Sequence, residues 1–144
     1  MTPSSLLFAF TISWLVCGQA FAQQLLRTST SWDGKGFSYP QGKAELTSVK
    51  LRLESGQQTP FHCHPVPTFG YVLSGQILVE TADGNSTMMK AGESAVEVMR
   101  TLHRGTAIDG PAEIVVFYAG AQGIPTTLTA GKDEHQDCKK YIGR

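Results

Sequence analysis

Three histidines set the chemistry within reach of this chain: His62 and His64, separated by Cys63, and His103 further along. They fall in a stretch that otherwise reads as alternating strand. Successive side chains of a strand point to opposite faces, so a His-x-His pair puts two imidazoles on one face, roughly 6.5–7 Å apart at Cα. Each ring reaches inward, and bonds of about 2.0–2.2 Å to a shared cation close that gap. A third imidazole on a neighbouring strand completes one side of a coordination sphere. Imidazole suits zinc, copper, iron and nickel. A lone buried histidine is more often a hydrogen-bonded core residue, so the metal reading needs all three to meet.

Strands must position them. From Ala44 onward, Leu46, Val49, Leu51 and Leu53 alternate in large part with polar residues, until Gly56 breaks the run and Pro60 opens the next. Phe69 to Leu73 is aromatic and β-branched, and Ser74-Gly75 is a turn signal. Gln76 to Thr81 reads as a short strand, followed by the hairpin-type turn Ala82-Asp83-Gly84-Asn85. Met88 to Gly92 leads into Ser94 to Val98, and Ile108-Asp109-Gly110-Pro111 is a further turn. Ile114 to Tyr118 is a continuous apolar run, as a strand buried on both faces would be. No stretch after residue 23 sustains a helical period. Short, closely spaced strands with Gly and Asp-Gly turns argue for an all-β sandwich or barrel. The chain divides into an N-terminal arm over 23–45, with Trp32, Phe37 and Tyr39 as anchors, a barrel over 46–119 and a polar tail over 120–144.

Residues 1–22 differ from the rest. They carry no charged side chain, run apolar from Leu6 to Val16, and end in Ala20-Phe21-Ala22, with small residues at the positions a signal peptidase reads. A cleaved signal peptide leaves Gln23 as the new N-terminus and places the protein in the periplasm or outside the cell, with no membrane association after cleavage. The apolar run is shorter than the roughly 20 residues of a spanning helix. Export leaves Cys63 and Cys138 in an oxidising compartment, free to form a disulfide or to remain two thiols. If His62 and His64 face inward, Cys63 faces outward and is a poor ligand. The formal net charge is zero over 144 residues, which gives no basis for nucleic-acid binding. Phosphate loops, nucleophile elbows and His-Glu-x-x-His helices are absent from the sequence.

Gly56-x5-His62-Cys63-His64 with the later Gly75, and Gly92-x5-Val98-x-Arg100-x2-His103, resemble the two conserved motifs of the cupins, in order and with the right separation. Gly70-Tyr71-Val72-Leu73-Ser74-Gly75 is similar to another stretch of that family. Small exported single-domain cupins share the segment His64-Pro65-Val66-Pro67. The resemblance implies a double-stranded β-helix, that is, a jelly-roll β-barrel. It also implies His62, His64 and His103 as metal ligands, and pairing of two barrels into a homodimer through a sheet edge.

Departures from the family pattern bear on function. The glutamate of the first motif falls on Thr68, and the proline, glycine and asparagine of the second fall on Val98, Arg100 and Ala107. Thr68 retains a hydroxyl that can line the pocket. Glu97, in the apolar segment Ala95-Val96-Glu97-Val98, is the candidate catalytic residue. It would supply the missing ligand, orient a histidine or accept a proton; the alternative is an outward-facing strand residue. Arg104 is read as a surface charge in preference to an anion-binding group, and Met88, Met89 and Met99 as packing. By resemblance, a three-histidine site implies dioxygenase chemistry on a small molecule, with iron as the first choice of divalent transition metal and manganese, nickel, copper and zinc as alternatives. The competing reading is a non-catalytic module of the same fold that binds a small ligand or metal. A third is a dimer whose metal only braces the barrel.

Overall fold

A computed structural model describes residues 21–130. All but the last two residues of the proposed leader, and Cys138, lie outside that range. Nine strands follow one another: β1 (Ala44–Leu53), β2 (His62–Cys63), β3 (Thr68–Ser74), β4 (Gln76–Thr81), β5 (Ser86–Lys90), β6 (Ser94–Val96), β7 (His103–Ala107), β8 (Ala112–Ala121) and β9 (Leu128–Thr129). No helix occurs among the described residues. Two antiparallel sheets have the orders β1-β8-β3-β6 and β5-β4-β7-β2-β9. Because spatial neighbours are distant in sequence, the chain crosses repeatedly between sheets and rolls into a double-stranded β-helix.

The longest pairing joins β1 to β8 over ten residues, from Ala44↔Ala121 to Leu53↔Ala112. The apolar run within β8, expected to be buried on both faces, alternates instead. Ile114 is 5% exposed and packs inward, whereas Phe117 is 45% exposed. The outer face of this sheet is only partly covered by the N-terminal arm, with a groove between Phe37 and Tyr39 on the arm and Phe69 and Phe117 on the sheet. The Phe69 and Phe117 rings stand 6.2 Å apart.

Between the sheets, Leu53, Val72, Ile77, Val79, Met89, Ala107, Ala112 and Ile114 form the core, with Trp32, Leu51, Ala95 and Val116 packed against it. Each large aliphatic side chain so buried contributes about 1.5–3 kcal/mol. Gly75 makes the sharp passage from β3 to β4. Its φ is +74°, and a Cβ there would lie 2.2 Å from the Pro111 carbonyl oxygen. At the arm, the Trp32 amide donates to the Val96 carbonyl at 3.0 Å, fastening Trp32 beside the end of β6. Beyond β8 the chain turns back, and β9 pairs with β2 (His62↔Thr129, Cys63↔Leu128), so part of the expected tail is a strand of the barrel.

Candidate metal centre

The three histidines come together because β2 pairs with β7 at a single position, His62↔His103. Residues directly opposite in an antiparallel pair share a face. His64 follows just past β2 on the same face and forms a parallel bridge with Met99. Pro65 and Pro67 then end any further pairing. Ring centroids are 4.9 Å apart for His62 and His64, 4.5 Å for His62 and His103, and 5.0 Å for His64 and His103. One ligand nitrogen from each lies within 4.8 Å of the others. His64 and His103 are buried, while His62 is half-buried at the rim.

Loop carbonyls orient all three rings. His62 Nδ1–H donates to the Pro60 carbonyl at 2.8 Å, His64 Nδ1–H to Thr126 at 2.9 Å, and His103 Nδ1–H to Thr101 at 2.8 Å. A carbonyl only accepts, so each ring carries its proton on Nδ1 and keeps an Nε2 lone pair. This is the tautomer and the outer support that metal-bound histidines take. Burial pushes all three rings below the usual imidazole range; His62 and His64 are lowered further by the positive charge His103 would carry. His64 moves furthest. Neutral rings with inward lone pairs are what a cation requires.

Arg100, where the family pattern has glycine, adopts φ +55°, the left-handed region glycine favours. Its amide donates to the His64 carbonyl at 2.9 Å, tying the turn to the first histidine pair.

Glu97 faces the cluster. Its Oε2 lies 3.5 Å from His103 Nε2, and neither atom has a hydrogen-bond partner. Burial raises its pKa to about 7, opposed by the charge His62 would carry and by the nearby Trp32 indole N–H. That indole nitrogen approaches the carboxyl group without reaching hydrogen-bond geometry, and is itself buried and unpartnered.

A cavity of about 70 Å³ holds the three histidines, Glu97 and Tyr118, walled by Ile77, Val79, Met89 and Ile114. A second hollow of about 210 Å³ adjoins it at the barrel mouth, sharing Leu51, Thr59, His62, Val116 and Tyr118 and adding Val49, Pro60, Thr127 and Thr129. No lysine or arginine is among the described residues lining either space.

The other sequence candidates lie elsewhere. Thr68 is 1% exposed, donates its hydroxyl to the Val66 carbonyl at 3.1 Å, and is not part of the cavity wall. Arg104 pairs with Glu80 at 3.4 Å and covers the Phe61 ring at 4.8 Å. Cys63 is outside the histidine cluster, as alternation requires, but it is fully buried, not solvent-facing, and is disulfide-bonded. Met89 belongs to the core.

Sequence reasoning missed Tyr118, whose ring stands 5.4 Å from that of His64 and whose hydroxyl is pushed up by burial. Its parity with Ile114 and Val116 in β8 was the available signal. The Thr126 carbonyl left none, because any residue type supplies a carbonyl.

The description "cupin domain" matches residues 49–118. No curated protein matches the chain. Among solved structures, a DMSP lyase from Ruegeria pomeroyi is 18% identical with a TM-score of 0.51, over 58% of this chain and 42% of its own. An uncharacterized protein with a double-stranded β-helix domain from Klebsiella pneumoniae is 21% identical with a TM-score of 0.52, covering 67% and 83%. A cupin-like protein from Thermotoga maritima is 15% identical with a TM-score of 0.52, covering 69% and 75%. The chain spans less than half the length of the DMSP lyase chains it matches. At these identities the structural likeness shows the fold. The matched model identifies residues 49–118 as a cupin domain, and this domain carries the three-histidine cluster able to hold a metal ion.

Proposed function

We propose that the protein is an exported cupin that holds a divalent transition metal on His62, His64 and His103 and acts on a small molecule entering past His62. The observation that carries this reading is the convergence of three Nε2 lone pairs whose Nδ1–H groups are all spent on loop carbonyls. Bound iron would supply oxygen-dependent oxidation at positions the protein leaves open. The chain's own part is to hold neutral imidazoles, exclude water with an aliphatic wall and shape the mouth. A substrate with an uncharged body suits that mouth, which is lined by Val49, Leu51, Pro60 and Val116 beside Thr59, Thr127 and Thr129. The disulfide at Cys63 supports an oxidising compartment and hence export, with Cys138 as the proposed partner.

The narrowness of the inner cavity favours a second reading, a module that captures metal or a small ligand and catalyses nothing. Metal content by mass spectrometry, on protein purified without a nickel column, tests the shared premise. We expect one divalent metal per chain, lost when the three histidines are replaced by alanine. No metal in the wild type, or the same metal in the triple variant, overturns it. Oxygen uptake by iron-loaded protein against thiols, phenols and diketones separates the readings: a silent protein is the binding module.

A further inference from the structure

The position at which the family pattern has a carboxylate holds Thr68, whose hydroxyl is committed to the Val66 carbonyl. A carboxylate nevertheless stands at the cluster. Glu97 lies just past the end of β6, with its amide donating to the Thr68 carbonyl at 2.8 Å. Its Oε2 and His103 Nε2 face each other at 3.5 Å, both buried and both without a partner.

Because His103 Nδ1–H is held by the Thr101 carbonyl, Nε2 presents a lone pair. Two acceptors confronting each other in the interior are costly unless something positive joins them. A shared proton fits poorly, since N–H···O bonds prefer about 2.7–3.2 Å. A cation fits well. Two donor atoms about 2.1 Å from one ion and separated by the observed distance subtend roughly 110° there, close to the tetrahedral angle.

Resting on the metal-binding reading above, we propose that Glu97 is the fourth protein ligand. It is a carboxylate supplied from the end of β6 in place of the one absent at Thr68. The complete set is then three neutral imidazoles and one anion. The N-terminal arm joins the site through Trp32, whose amide is fastened to Val96, beside Glu97, and whose indole N–H faces the carboxyl group.

The test uses the full chain loaded with Co²⁺, reading both the visible absorption spectrum and the affinity by chelator competition. Glu97→Gln preserves shape while removing the charge, so folding is not at risk. It should weaken Co²⁺ binding by about 100-fold or more and change the cobalt spectrum. Thr68→Val should change neither. Unaltered affinity and spectrum in Glu97→Gln would overturn the proposal. Weakened binding with an unaltered spectrum would overturn it too, because Glu97 would then act on His103 from outside the coordination sphere. If wild-type protein takes up no Co²⁺, the underlying metal reading fails with it, an outcome distinct from either result in the variant.

Discussion

The β1–β8 and β2–β7 pairs are opposite extremes of strand pairing. The first is a ten-residue ladder; the second meets at His62↔His103 alone. The long pair supplies wall residues such as Leu51 and Ile114 inside and the Arg52–Glu113 and Lys50–Glu113 ion pairs outside. It contributes no ligand. The short pair carries two of the three histidines, with the third just beyond β2. A continuous ladder consumes its own carbonyls, whereas a short strand leaves loop carbonyls free to accept other protons. The Pro60, Thr101 and Thr126 carbonyls that orient the rings all lie two residues before a strand begins. The site therefore forms where the ladder stops, braced by a region where it does not.

This contrast predicts that damage to the scaffold and damage to the site separate. The largest effect belongs to the scaffold. Gly75→Ala forces a left-handed backbone on alanine and drives its Cβ into the Pro111 carbonyl, so it should cost roughly 3 kcal/mol or more of unfolding free energy. Denaturant melts measure the loss, and the fraction that remains folded should keep its metal affinity. A normal melt would show that this turn is not the constraint described.

His64→Ala should behave in the opposite way. Structural zinc sites bind with about 10–16 kcal/mol over some four ligands, so losing one ligand should weaken binding by at least about 100-fold. The metal-free protein should stay folded by circular dichroism, since the packed wall remains. Metal binding within tenfold of wild type would remove His64 from the ligand set.

The two regions also differed in legibility. Alternation and turn chemistry marked β4 and its hairpin, because Gln76–Thr81 and Ala82-Asp83-Gly84-Asn85 have strong local preferences. β8 was found, but its burial was not foreseen, because Phe117 packs with Phe69 on a half-covered outer face. The two-residue β2 has no periodicity to read; only the spacing of its histidines gave it away. Glu97 remained ambiguous because β6 ends at Val96, and alternation loses its force past a strand end. β9 was missed because its pairing depends on β2, far away in sequence.

A pH series on metal-free protein sharpens the comparison from the site's side. Burial raises Glu97 to about 7. Its contribution is therefore fully present below the unfolded value near 4.5 and is lost as pH rises through 7. The histidines act oppositely: their lowered values leave their contribution intact above about 6.5, and it is lost as pH falls below that. Glu97→Gln isolates the share of the carboxyl group. Relative to wild type, the variant should gain stability between pH 4.5 and 7 and then level off, by at most about 3 kcal/mol. A difference flat with pH would place the carboxyl group in water.

The smallest effect should come from the charge beside the site in sequence but outside it in space. Arg104 follows His103, so alternation turns it outward, onto Phe61 and Glu80. Its ion pair is about one-third exposed on each side, which limits its worth to under about 1 kcal/mol with the ring contact adding a similar amount. Arg104→Ala should therefore lower stability by roughly 1 kcal/mol and leave metal affinity and the cobalt spectrum as in wild type. Paired with Glu97→Gln, it compares two charged residues near His103 in sequence, one turned inward and one outward. A change in cobalt binding on losing Arg104 would mean that the outer face of β7 also sets the position of the His103 ring.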